Sequence, residues 1–193
     1  GYSKYHLDAK ISDLGGSSWR LTCFYGGAQT HLRHNMWSTM KNLSTTENLP
    51  WVCLGDFNKV LRHDEHDGIG TRSQSQIENF REAVDVCGLL DLGYSGTRWT
   101  YEKKVIGGSY TRVRLDRALA TADWCQLFPF AVVKHLTAAT SDHLPILLQL
   151  EAERNRRTKP FRYETMWDTH AYLKDTVRLS WQSENQVLTA HEV

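Results

Sequence analysis

WVCLGDFNKV, Trp51 to Val60, carries two signals in ten residues. Trp51 to Leu54 is a continuous apolar run, which predicts a strand buried on both faces. Gly55 then lets another backbone or a ligand approach the strand end closely. Asp56 and Asn58 follow, two apart. On an extended chain both would project to one side while Phe57 packs into the core. A carboxylate accepts protons or binds a cation, and a neighbouring amide donates to a phosphate oxygen or fixes a water. Gly, Asp and Asn also favour turns, and on residue types alone a plain turn is the commoner outcome.

Working outward, HLDAKI (His6 to Ile11) and WRLTCFY (Trp19 to Tyr25) alternate polar and apolar residues. With Gly15 and Gly16 between them they predict a β-hairpin. Leu32, Met36, Met40 and Leu43 fall at helical spacing. Asp64 to Arg72 is polar and contains glycine, and predicts a solvated loop. A helix is expected after it, opened by a capping box of Ser75 and Glu78, with Ile77, Phe80, Val84 and Cys87 on one face and Gly88 at its end. RWTYE, TRVRLDRAL, FAVVKHL and PILLQLE read as short strands, and Thr121 caps a short helix that Pro129 stops. Strands alternating with helices, then several strands, predict a layered α/β sandwich of mixed sheets over 1–150. The basic stretch RNRRTKP gives a linker over 151–168. Tyr172, Leu173, Val177 and Trp181 give a helical segment over 169–193.

Composition excludes several classes. The 193 residues carry a formal net charge of +1, so any nucleic-acid site must be local rather than a global basic field. The four cysteines form no CxxC pair, which argues against a zinc ribbon and for a reducing compartment. No apolar run is long enough to span a bilayer and no signal peptide is visible, so a nuclear or cytoplasmic location without membrane contact is expected.

Three further stretches could carry chemistry. In SDHLPILLQL, Asp142 and His143 precede an apolar strand, and a histidine beside a carboxylate can act as general base or acid near neutral pH. A solvated loop ahead of a strand is the plain alternative. In RVRLDRALA, Asp116 lies between Arg114 and Arg117. It is either a surface ion pair worth little or a carboxylate that holds a histidine ring, for which His143 is available downstream. Tyr25 ends an apolar strand, where a tyrosine caps the core or reaches a phosphate. HDEHDG (His63 to Gly68) resembles a metal site but has no apolar residue to fix its geometry, and a solvated loop is the expected outcome.

Taken in order, WRLTCFYGG, WVCLGDFN, NFREAVDVCGLLDLGYSGTRWTY, RVRLDRALA and SDHLPILLQL resemble the endonuclease/exonuclease/phosphatase superfamily. They are most similar to the apurinic-endonuclease-like domain of LINE-type (non-LTR) retrotransposon polyproteins, plant ones especially. The likeness covers most of Tyr5 to Leu150, and KPFRYETMW resembles the segment leading toward the reverse transcriptase. It implies a four-layer αββα sandwich and Mg²⁺-assisted hydrolysis of a DNA phosphodiester, with Mn²⁺ as a substitute. It also implies a role for each matched residue. Tyr25 would contact the scissile phosphate, Asp56 would activate or position the attacking water, and Asn58 would support both. Asp116 would orient His143 beside the phosphate, and Asp142 would be a metal-linked or phosphate-side carboxylate. Thr100 matches a DNA-contacting position, and Arg112 and Arg114 with the RNRR arm are candidate DNA contacts. The family also carries an asparagine and a glutamate, its principal metal ligand, on strands ahead of these stretches, and no residue before Ser3 matches them. The expectation is therefore a domain lacking its first strands, with weakened metal affinity and an open sheet edge. Such a chain is either a nicking endonuclease or a remnant that binds DNA weakly. A phosphatase of the same superfamily is the third reading.

Overall fold

The structure is a computed structural model that describes residues 1–12, 16–26, 33–68, 70, 72–104, 110–138, 140–151, 172, 175 and 178. The chain divides into two units, Gly1–Arg154 and Asn155–Val193. In the second, the described part is limited to three residues, and Arg178 donates to Asp175 at 2.8 Å. The basic linker and most of the helical segment expected there lie outside the described residues.

The apolar run at Trp51 forms β3 (Trp51–Asp56), the middle strand of a five-stranded sheet. Its neighbours are β2 (Ser18–Tyr25) on one side and β8 (Asp116–Thr121) on the other. The order is β1-β2-β3-β8-β5, with β1 at His6–Ser12 and β5 at Leu89–Asp91. β1 and β2 pair antiparallel, as the alternating pattern predicts. β2 runs parallel to β3, and β8 runs antiparallel to it. The register sets Asp56 opposite Tyr25 on one side and Asp116 on the other. Three candidate site residues from distant parts of the sequence therefore end abreast at one mouth of the sheet.

Gly55 makes this register attainable. Its φ is +136°, and a Cβ there would lie 2.1 Å from the Phe24 carbonyl oxygen. Any side chain at this position would drive β2 and β3 apart one residue before Asp56.

Two helices, α1 (Arg33–Thr46) and α2 (Gln74–Val86), cover one face of the sheet. Met36, Met40, Phe80, Ala83 and Val84 pack there against Phe24, Trp51, Cys53, Phe57 and Leu119. The other face presents Trp19, Val52 and Ala120 to Trp124 of α3 (Ala122–Leu127), with Leu148 and Leu150 packed against them. Leu148 belongs to β10 (Ile146–Gln149), which pairs antiparallel with β9 (Val132–His135). A third sheet joins β4 (His66–Asp67), β7 (Tyr110–Val113) and β6 (Tyr101–Lys104) in the order β4-β7-β6. The expected α/β sandwich of mixed sheets is what forms.

Three local expectations are corrected. The cap of α2 is Ser73, not Ser75, and Glu78 accepts from the Gln74 side chain instead of closing a box. TRVRLDRAL is not one strand, because it breaks at Arg114 and Leu115 and feeds two sheets. The segment after Leu61 is not simply solvated. It makes one 3-10 turn, His63–Glu65, whose last residue is only 1% exposed.

The break and the turn have a common cause. Arg114 and Arg117 both point inward, and Glu65 and Asp91 meet them. Glu65 accepts from Arg114 at 3.1 Å and from Arg117 at 2.9 Å, and from the Leu61 N–H at 2.7 Å. Asp91 accepts from Arg114 at 2.8 and 2.9 Å and from Arg117 at 2.8 Å. Two buried cations and two acids cancel, which is the condition for holding charge inside a protein. Burial pushes the Glu65 carboxyl up, but the Arg117 and Arg114 guanidiniums and the Leu61 N–H bring it below the ordinary glutamate value.

Candidate active site

The GDFN stretch resolves as a turn that gathers its two candidate side chains. Asn58 has a φ of +51°, a left-handed conformation that asparagine tolerates better than most residues. The chain therefore curls back on Asp56 rather than continuing extended. The Asn58 N–H donates to Asp56 Oδ1 at 2.7 Å and its Nδ2 to Oδ2 at 2.8 Å. Phe57 goes fully into the core. The two polar groups share a side because of this turn, not because of strand alternation. Gly26 locks the arrangement. Its N–H donates to the Asp56 carbonyl, and its carbonyl accepts from Asn58 Nδ2, both at 2.5 Å. A Cβ on Gly26 would lie 2.7 Å from the Phe57 backbone, so the contact requires glycine.

Asp116 begins β8 directly opposite Asp56 and is 8% exposed. His143 comes from the loop before β10, and its Nδ1 meets Asp116 Oδ2 at 3.0 Å. Tyr101 pairs with His143 through the backbone, and their rings lie 4.9 Å apart. Ligand atoms of Asp56, Asp116 and His143 all fall within 4.8 Å of one another. The hydrogen bond to Asp116 raises the His143 pKa above the ordinary histidine value, against the effect of burial, and the charges of Asp116, Asp56 and Asp142 add to the rise. The imidazolium is thus favoured at a mouth otherwise lined by carboxylates.

Around this centre the other expected residues separate. Tyr25 stands opposite Asp56 in the ladder with 61% of its surface exposed, a placement suited to meeting a ligand. Asp142 is exposed, and its carbonyl accepts from the Glu102 N–H at 2.9 Å. Its carboxylate is not one of the three clustered groups. Arg112 is half-exposed on the third sheet, donating to Glu102 at 2.6 Å, with its guanidinium over the Tyr110 ring. Two of the expected DNA contacts have no outlet. Arg114 is buried among Asp91 and Glu65. Thr100 is fully buried, and its hydroxyl accepts the N–H groups of Leu115 and Asp116. Surface contact with DNA is corrected for both, because neither side chain faces solvent. The RNRR arm lies outside the described residues.

Sequence reasoning missed Glu65 and Asp91. Their signal was indirect: Arg114 and Arg117, three apart inside an apolar stretch, require buried acids somewhere.

Two carboxylates in this space, Asp56 and Asp116, fit a hard divalent cation. Magnesium keeps several waters and needs only one or two protein carboxylates besides its substrate.

No protein-family model matches the chain, and no curated protein matches it. Among solved structures, the endonuclease domain of TRAS1, a telomere-specific non-LTR retrotransposon, superposes with a TM-score of 0.59 at 14% identity, covering 78% of this chain and 65% of that one. A beta toxin from Staphylococcus aureus superposes with a TM-score of 0.51 at 18% identity, covering 76% and 57%. An endonuclease/exonuclease/phosphatase family protein from Leptotrichia buccalis gives a TM-score of 0.48 at 16% identity, covering 75% and 53%. The chain spans less than two thirds of the length of each. The fold is of the endonuclease/exonuclease/phosphatase type.

Proposed function

We propose that this chain is the catalytic part of a Mg²⁺-dependent DNA endonuclease of non-LTR retrotransposon origin, which nicks a target strand by hydrolysing one phosphodiester. The observation that carries the reading is the meeting of Asp56 with the Asp116–His143 pair, from segments 60 and 27 residues apart in the chain. The fold likeness to a retrotransposon endonuclease domain supports the choice of substrate.

Each residue then has a task. Asp56, fixed by both nitrogens of Asn58, accepts a proton from the attacking water and aligns it. The Asn58 amide, already aimed at this carboxylate, limits its rotation and keeps the lone pair directed. His143, held by Asp116 and biased toward its charged form, donates to a non-bridging phosphate oxygen as negative charge builds there. Tyr25 offers its phenol from the exposed end of β2. The Asp116 hydrogen bond raises the His143 pKa most, and Asp142 on the rim adds its charge to that rise. Asp56 and Asp116 would hold the magnesium ion, with Mn²⁺ as a substitute, and when bound it neutralises charge on the phosphate. The continuation of the chain beyond residue 169 would tether the nuclease to a reverse transcriptase region in the parent polyprotein.

The test is conversion of supercoiled plasmid to open circles by purified protein. Nicking is expected in Mg²⁺, absent with EDTA, and absent in His143→Ala. Turnover of a phosphomonoester without nicking would move the reading to a phosphatase. No hydrolysis by folded protein at any Mg²⁺ concentration would overturn it in favour of DNA binding without catalysis.

A further inference from the structure

Thr100 makes four backbone-directed hydrogen bonds, and together they join the two segments that build the site. Its N–H donates to the Val113 carbonyl at 3.1 Å, at the end of β7. Its hydroxyl accepts from the Leu115 and Asp116 N–H groups, both at 2.9 Å. Its carbonyl accepts from the Leu144 N–H at 2.8 Å. Leu144 follows His143, and Asp116 is the partner of His143. One fully buried residue therefore holds the backbone of Asp116 and the backbone beside His143 at the same time.

From this geometry we infer that Thr100 is a positioning residue, which sets the Asp116–His143 pair in register for the phosphate while touching neither substrate nor metal. The position demands threonine or serine. The chain breaks between β7 and β8, so the N–H groups of Leu115 and Asp116 leave the ladder at a buried point. Buried donors of this kind must find acceptors, and a hydroxyl oxygen with two lone pairs can satisfy both. Valine has the same shape and no acceptor. In Thr100→Val the two N–H groups would be orphaned, and the start of β8 would shift to find new partners, carrying the Asp116 carboxylate away from His143. The consequence for catalysis rests on the hydrolytic function proposed above, whereas the consequence for the Asp116–His143 contact does not.

The test uses Thr100→Val and Thr100→Ser in the full chain, with four readouts. In the plasmid assay, the valine variant should lose about 10–100-fold in kcat, the range for residues that orient others. Its DNA Kd should stay within about twofold, and serine should restore most of the rate. By NMR, the downfield Nδ1 proton of His143 bonded to Asp116 should be present in wild type and Thr100→Ser and lost in Thr100→Val. In wild type, the Leu115 and Asp116 amides should exchange with solvent as slowly as those of β3. A valine variant with wild-type kcat and an intact Nδ1 proton would overturn the inference. So would a loss confined to DNA affinity, or fast exchange of those two amides. If the protein nicks nothing, the NMR and exchange results still decide the positioning role. If the valine variant fails to fold, the exchange measurement on wild type still decides it.

Discussion

Asp56→Ala should reduce plasmid nicking by about 10³-fold or more, a loss expected when a positioned proton acceptor and its part in charge stabilisation vanish together. The substitution removes a carboxylate that lies opposite both Tyr25 and Asp116 in the sheet and that both Asn58 nitrogens address. It leaves the backbone anchor from Gly26 in place, because that bond uses the Asp56 carbonyl. The fold should survive with a loss of about 1 kcal/mol, the typical net value of such side-chain bonds. Activity and stability would thereby separate: circular dichroism and melting stay near wild type while nicking disappears. Nicking within tenfold of wild type would remove Asp56 from the reaction.

The second large effect is on stability and lies behind the site. Glu65→Ala should cost about 3–5 kcal/mol, the range for breaking a buried ion pair from one side. Glu65 is 1% exposed, Arg117 is fully buried and Arg114 nearly so. Removing the acid leaves Asp91 alone to balance two guanidiniums and strips the Leu61 N–H of its acceptor. Urea unfolding should show a lower midpoint with an unchanged slope. Added salt should not restore it, because the pair is shielded from solvent ions. The pH dependence follows from the direction of the shift. The Glu65 carboxyl lies below its ordinary value in the folded protein, so its stabilising effect is present above that ordinary value. It is lost as pH falls through the folded one. A Glu65→Ala protein as stable as wild type would mean that the network is dispensable.

Why the core of this account was readable in the sequence can be traced to single residues. The run Trp51 to Leu54 has only one comfortable placement, inside a sheet, and Gly55 announces the close backbone approach that Phe24 makes. For Asp116 the residue types leave a surface ion pair and a histidine partner both open, the resemblance selects His143, and the structure shows that contact at 3.0 Å. What remained hidden depended on three-dimensional context. Glu65 sits in a stretch with no apolar residue, and its burial comes from Arg114 and Arg117, about 50 residues away. Thr100 is a DNA contact only by the resemblance, and nothing local in the sequence shows that two N–H groups leave their ladder beside it. Ser75 and Ser73 are both credible caps, and a choice between positions two residues apart is not written in the residue types. At Asn58 the turn expected from residue types forms, and it is this turn that brings the Asn58 nitrogens onto the Asp56 carboxylate.

Central to everything is that Asp116, Asp56 and His143 converge, and the titration of His143 reports this without any need for activity. Its pKa is raised first by the hydrogen bond to Asp116 and then by the surrounding carboxylates. A histidine raised in this way contributes stability that is complete below its ordinary pKa and lost as pH rises through the shifted one. The measurement is the His143 Cε1–H chemical shift against pH in wild type, Asp116→Asn and Asp56→Asn. The wild-type midpoint should lie above the ordinary histidine value, fall most in Asp116→Asn, and fall by a smaller amount in Asp56→Asn. A wild-type midpoint at the ordinary value, indifferent to both substitutions, would place the three side chains apart and contradict the site.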